Sequence, residues 1–138
     1  MNKILLIITG SIAASRCKEI IALLNINEVK ISCILTKEAK KYVKISDIKK
    51  LLKNRIFTDE DEKKNKMLHI NLSRENDIIV VCPATANSIA KFANGYGDNL
   101  ASNTLLAANK KILFVPAMNS FMWHNKINQK NVRLLKDS

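Results

Sequence analysis

Three short loops carry most of the groups able to do chemistry. Pro83-Ala84-Thr85-Ala86-Asn87-Ser88 and Pro116-Ala117-Met118-Asn119-Ser120-Phe121-Met122-Trp123 each follow a β-branched run and open on proline. Small hydroxyl and amide side chains come next, and the amides of Asn87 and Asn119 both donate and accept hydrogen bonds. Thr9-Gly10-Ser11 ends a third apolar run. Gly10 allows close backbone approach, and the Ser11 hydroxyl can cap a helix or meet a phosphate at the positive helix N-terminus. Thr36 closes one more run and brings a second hydroxyl to the same edge if the strands are adjacent and parallel. His69, within Met67-Leu68-His69-Ile70-Asn71-Leu72, carries an imidazole, a group that can act as general acid or base; an isolated histidine is more often structural. Met118, Met122 and Trp123 read as core, with a flat wall for a ring system as the other use of such side chains.

The elements that must position these groups are strands ending at one rim. Residues 78–82 form an apolar β-branched run without polar alternation, the pattern of a strand buried on both faces of a parallel sheet. Proline cannot donate a ladder hydrogen bond, so pairing is expected to stop at Pro83. Residues 4–8, 29–35 and 112–115 read as further strands, the last also buried. Helical spacing appears over 12–24, over 38–52 in two pieces with Ser46 or Asp47 capping the second, and over 86–106 with a break at Asn94-Gly95-Tyr96-Gly97, after which Asp98 can cap. Residues 125–138 read as a last helix packing through Val132, Leu134 and Leu135. Residues 59–66 read as an exposed charged connection. Strands alternating with helices predict an α/β fold: a doubly wound, Rossmann- or flavodoxin-like parallel sheet with helices on both faces. Ligands of such sheets bind beyond the carboxyl ends of the strands, which points to residues 83–88 first.

Composition narrows the function classes. At 138 residues the chain suits one domain. A net charge of +11 favours anionic partners, but the lysines at 40, 41, 44, 49, 50 and 53 fit a solvated helix face. With 5% aromatic residues there are few platforms for stacking bases, so no nucleic-acid partner is expected. Cys17, Cys33 and Cys82 lack disulfide or metal-ligand spacing, which fits a reducing cytoplasm and no metal. The N-terminal apolar run loosely imitates a secretory signal, but Thr9 and Gly10 interrupt it early, and no run reaches membrane-spanning length.

Taken together, Gly10-Ser11-Ile12-Ala13-Ala14, His69-Ile70-Asn71-Leu72, residues 83–88 and the proline-to-tryptophan segment resemble the homo-oligomeric flavin-containing cysteine decarboxylases. Within them, the closest likeness is to the phosphopantothenoylcysteine decarboxylases of coenzyme A synthesis. The likeness spans nearly the whole chain, with the motifs in order. It implies a single FMN-binding domain over 1–138, with FMN at the sheet's carboxyl edge between subunits of a trimer or of a dodecamer built from trimers. It implies cofactor contacts from Gly10, Ser11, Ile12, Thr36, Thr85, Ala86, Asn87, Ser88 and Ala117, a catalytic role for His69, and substrate contacts from Asn119 and Met122. In the implied chemistry the flavin oxidises the cysteinyl thiol side to a thioaldehyde, whose C=S group is the electron sink that lets carbon dioxide leave. His69 would handle a proton, and Asn119 would fix the carboxylate of a small phosphorylated cysteinyl substrate.

The sequence also departs from that pattern. Ser15-Arg16 stands where an aromatic and a basic residue are common, Thr85 and Ser88 exchange similar hydroxyls, and Asp98-Asn99 replaces a frequent acidic pair. The sequence stops at Ser138, before the flap on which the family carries a cysteine needed to finish reduction, and without the synthetase domain often fused in bacteria. The resemblance therefore implies either the decarboxylase domain or a catalytically incomplete, regulatory relative. A flavin prenyltransferase on a related fold is disfavoured by residues 116–123.

Overall fold

A computed structural model describes residues 3–53 and 55–138. The apolar runs form five parallel strands: β1 (Lys3–Ile8), β2 (Lys30–Leu35), β3 (Ile56–Phe57), β4 (Ile78–Ala84) and β5 (Lys111–Pro116). Their order is β3-β2-β1-β4-β5, so the winding reverses between β1 and β4.

Between them lie helices α1 (Cys17–Ile26), α2 (Ile45–Leu52), α3 (Asp59–Lys64), α4 (Leu68–Glu75), α5 (Ala86–Ala93) and α6 (Leu100–Ala107), with α7 (Ser120–His124) and α8 (Lys126–Asp137) after β5. Leu6, Ile8, Ile31, Cys33 and Leu35 pack under Ile21 of α1 and Ile48 and Leu52 of α2. Leu5, Ile7, Ile34, Ile79 and Val81 pack on the opposite face under Leu68 and Leu72 of α4, Ile89 of α5 and Leu100 of α6. Four consecutive buried residues, Leu5 to Ile8, thus feed two separate cores. Full burial of each is worth about 1.5–3 kcal/mol, which only a strand covered on both faces can collect from adjacent positions.

The fold class read from the sequence is the one observed, but several local expectations are corrected. β4 does not stop at Pro83: after an irregularity between Val81 and Ala84, Ala84 pairs with Pro116. Proline lacks only the N–H, so a strand can run through it where that donor is not required. β5 is an edge strand rather than a buried one, with Leu113 52% and Val115 40% exposed.

Residues 59–64 are a helix, started by a capping box in which Thr58 and Asp61 satisfy each other's backbone N–H groups. Helix α2 begins at Ile45 after Lys44, without a side-chain cap from Ser46 or Asp47. Helix α6 is capped by Asn99 and Ser102 in a capping box, not by Asp98. Leu134 is exposed, while Val132 and Leu135 pack as expected. The first helical stretch divides into a 3-10 turn (Ile12–Arg16), capped by Ser11, and α1.

No helix among the described residues is long and apolar enough to cross a membrane. Cys17, Cys33 and Cys82 are all free and buried. Burial raises the Cys33 thiol above its ordinary pKa. The hydrogen bond with Cys17 lowers the pKa of the Cys82 thiol to about 7, so at Cys82 it is burial alone that limits alkylation. We therefore expect the folded protein to resist a maleimide on all three cysteines, with three groups added after denaturation. Rapid native labelling at any of them would contradict this packing.

Candidate active site at the carboxyl edge

Where the winding reverses, the loops after β1 and β4 splay apart and leave a crevice. A cavity of about 310 Å³ lies there, lined from the β1 loop by Gly10 and Ser11 and from the β2 loop by Thr36 and Glu38. The β4 loop and α5 contribute residues 85–88 together with Lys91 and Phe92, and Asn99 comes from the start of α6. Ala117, Met118 and Met122 close it from the loop after β5.

Hydrogen bonds fix these loops to one another. The Thr9 hydroxyl donates to the Pro83 carbonyl and accepts the Thr85 N–H at 3.3 Å, tying the end of β1 to the β4 loop. The Ala117 N–H donates to the Ala84 carbonyl at 3.1 Å, which holds the two proline loops side by side. Thr85 caps α5 by accepting the Ser88 N–H at 3.1 Å, and its hydroxyl donates to the Ser88 hydroxyl at 2.8 Å. Thr36 is buried, its hydroxyl donating to the Ile8 carbonyl and accepting the Ala39 N–H, so its side chain shapes the turn. Gly10 serves packing: a Cβ there would lie 2.4 Å from the Cβ of Glu38.

The cavity divides chemically. It offers Thr85, Asn87 and Ser88 at the N-terminus of α5, where unpaired N–H groups and the helix dipole favour an anion, together with Ser11 from the β1 loop. Its other wall is Phe92, Ala117, Met118 and Met122, suited to a flat ring. Lys91 is the lining cation, but it is paired with Asp98 at 2.8 Å. That hydrogen bond raises the pKa of the ammonium and lowers that of the carboxylate. A polar, anion-accepting end beside an apolar slot fits a phosphorylated ring cofactor such as FMN.

Nine residues singled out from the sequence line this cavity: Gly10, Ser11, Thr36, Thr85, Ala86, Asn87, Ser88, Ala117 and Met122. Three others do not. Ile12 points outward, 78% exposed. Asn119 is the exposed N-cap of α7, accepting the Met122 N–H at 2.9 Å, between lining residues Met118 and Met122. His69 lies on the first turn of α4, and its imidazole faces Glu62 of α3, whose other oxygen contacts Asn103. Asn103 stands one turn of α6 beyond Asn99, a lining residue.

Of the lining residues that the sequence reading did not assign to the site, Glu38 and Lys91 each lie within a helical stretch, where a charge reads as solvated. Met118 read as core, and it does pack against the core while also facing the cavity. Thr9, which ties the loops together without lining the cavity, read only as the end of an apolar run. The position of Asn99 one residue after Asp98 was the available signal for it. Among the described residues, no group of His, Cys, Asp and Glu side chains could hold a metal ion.

The comparisons agree with this chemistry. A family model described as Flavoprotein matches residues 1–138. A probable phosphopantothenoylcysteine decarboxylase of Streptococcus mutans is 32% identical over 98% of this chain and 78% of its own length. Epidermin decarboxylase of Staphylococcus epidermidis is 34% identical over 99% and 74%. The crystal structure of SpaF, an FMN-dependent cysteine decarboxylase, superposes with a TM-score of 0.91 at 30% identity, covering 98% of this chain and 79% of that one. With a crevice built for a phosphorylated ring and relatives of this kind along its whole length, the chain belongs to the Flavoprotein family, among the flavin-containing cysteine decarboxylases, and its cofactor is FMN.

Proposed function

We propose that this protein decarboxylates 4'-phosphopantothenoylcysteine towards 4'-phosphopantetheine in coenzyme A synthesis. The observation that carries the reading is the convergence of Gly10, Ser11, residues 85–88 and Ala117 on one crevice, with His69 and Asn119 at the same sheet edge. Ser11 and the N-terminal turn of α5 would hold the phosphate of FMN, and Ala117, Met118 and Met122 would lie against its ring. Bound there, FMN supplies a two-electron acceptor for the cysteinyl thiol side of the substrate, which creates the sink that carboxylate departure needs. Asn119 then orients the carboxylate, and His69 takes or returns the proton. The exposed Ile12 and Phe121, next in sequence to lining or loop residues, support completion of the site by a second copy in a homo-oligomer.

A second reading has its own support. A peptidyl-cysteine decarboxylase of known structure is 34% identical over 98% of this chain, as similar as the S. mutans relative. Its substrate class would be a cysteinyl peptide. The test purifies the protein, identifies the released chromophore by mass, and measures carbon dioxide from phosphopantothenoylcysteine and from a cysteine-terminated peptide side by side. Release from the first alone supports the proposal; release from the peptide alone replaces it with the second reading. Bound FMN with neither substrate consumed leaves a catalytically incomplete relative.

A further inference from the structure

Helix α3 carries four consecutive acidic residues, and three have local roles. Asp59 accepts the Leu100 N–H at 3.0 Å, at the start of α6. Asp61 accepts the Thr58 N–H at 2.8 Å, closing the capping box. Glu60 pairs with Lys63 on the surface. Glu62 faces both α4 and α6. Its Oε1 accepts a hydrogen bond from Asn103 Nδ2 at 3.1 Å, and its Oε2 lies 3.4 Å from Nδ1 of His69.

Both atoms of this last contact are hidden from solvent, and neither makes a hydrogen bond among the described residues, so at 3.4 Å each is the nearest polar group the other can use. The side chains are 21% and 26% exposed, so it is the facing atoms, not the whole groups, that are shielded. An ionised carboxylate only accepts hydrogen bonds, whereas a neutral imidazole donates from one nitrogen and accepts at the other. With Nδ1 bare, two lone pairs would face each other in a dry contact; with Nδ1 protonated, its N–H faces the carboxylate, and a small approach from 3.4 Å completes a charge-assisted hydrogen bond. Nε2, which makes no hydrogen bond among the described residues, then keeps its lone pair free.

We propose that Glu62 is a positioning residue for His69: Oε2 holds the Nδ1–H tautomer and the ring orientation, while Asn103 holds Glu62, so that Nε2 is the atom that accepts the proton. This rests on the reading of His69 as the proton-handling group. The same device, a carboxylate behind an imidazole, fixes tautomers in other enzymes. It also accounts for the position of α3. Docked on α6 through Asp59 and Asn103, the helix carries a carboxylate to the back of the catalytic ring.

The test uses ¹⁵N NMR of histidine-labelled, FMN-loaded protein, with His69 assigned by its loss in His69→Gln. At a pH where the imidazole is neutral, the parent protein should show a protonated Nδ1 and a bare Nε2. Glu62→Ala should shift the ring toward Nε2–H, with Glu62→Gln between, and Glu60→Ala should leave the signals unchanged. Glu62→Gln, close in size to the parent, keeps the test open if the alanine variant does not fold. Turnover should fall about tenfold or more in kcat for Glu62→Ala, a fraction of what a general acid–base group supplies, with KM little changed. A parent ring in the Nε2–H form, or tautomers indifferent to residue 62, overturns the pairing. Tautomers that shift while turnover does not overturn the positioning role, and place the fault in the reading of His69. A protein that binds FMN without decarboxylating anything still yields the first result, so the two failures are distinguishable.

Discussion

Replacing His69 by glutamine is expected to lower kcat by about 10²–10⁴-fold, the range that a positioned general acid or base contributes. FMN content and thermal stability should stay close to those of the parent. His69 is not among the cavity-lining residues, so the cofactor loses no contact. Helix α4 is anchored through Leu68 and Leu72, both in the core, rather than through the histidine beside them. Glutamine also leaves a donor within reach of Glu62, which limits the cost of uncovering a shielded carboxylate. Steady-state kinetics with phosphopantothenoylcysteine, flavin absorbance per chain and a melting curve together check the prediction. A kcat within about threefold of the parent would remove His69 from the chemistry; a colourless variant would show that its role is to hold the cofactor.

The separation between what moves in that experiment and what does not follows how the site is encoded. Gly10, Ser11, Thr36 and residues 85–88 were legible because each follows an apolar β-branched run, and in a parallel sheet every such run ends at the same rim. The doubly wound class was legible for the same reason: runs such as residues 4–8 have no polar face to turn to water. Strand order is a different kind of information. Residues 78–82 and 112–115 read alike, yet one strand is central and the other lies at the edge, because position in the sheet is fixed by crossover connections rather than by local pattern. The short strand β3 carried too few residues to show a period.

The least legible part was α3. Its capping box, Thr58 to Asp61, was written in the sequence, but a run of acidic residues next to lysines looks the same whether solvated or docked. What separates Glu62 from Glu60 is Asn103, 41 positions away, and no local periodicity reaches that far.

Thr9 shows the same limit in the core of the site, and Thr9→Val is the second large expected effect. Valine matches the shape of threonine but lacks the hydroxyl, which here both donates to the Pro83 carbonyl and accepts the Thr85 N–H. Thr9 is 1% exposed and its bond to the Pro83 carbonyl is buried, so water cannot replace that bond without opening the loop, whereas the Thr85 N–H is only part-buried. Leaving a buried donor or acceptor unsatisfied costs about 1–3 kcal/mol, and with the part-buried Thr85 N–H added at about 1 kcal/mol the loss is about 2–4 kcal/mol. For a domain of this size that is a fall in Tm of roughly 6–20 °C, at about 3–5 °C per kcal/mol.

The loss should also reach the cofactor. Thr85 is the N-cap of α5, and the residues that follow it line the cavity, so loosening Thr85 lets the anion-binding end of the crevice drift. FMN affinity should therefore fall more than a remote core change of equal stability cost would make it fall. Comparison with Ile21→Ala, which trims the core beneath α1 away from the cavity at a similar cost of about 2–5 kcal/mol, isolates that excess. Chemical denaturation with and without added FMN, and fluorescence titration of the apoprotein, supply the measurements. Equal FMN affinity in Thr9→Val and Ile21→Ala would mean that the hydroxyl holds the sheet edge together without shaping the site.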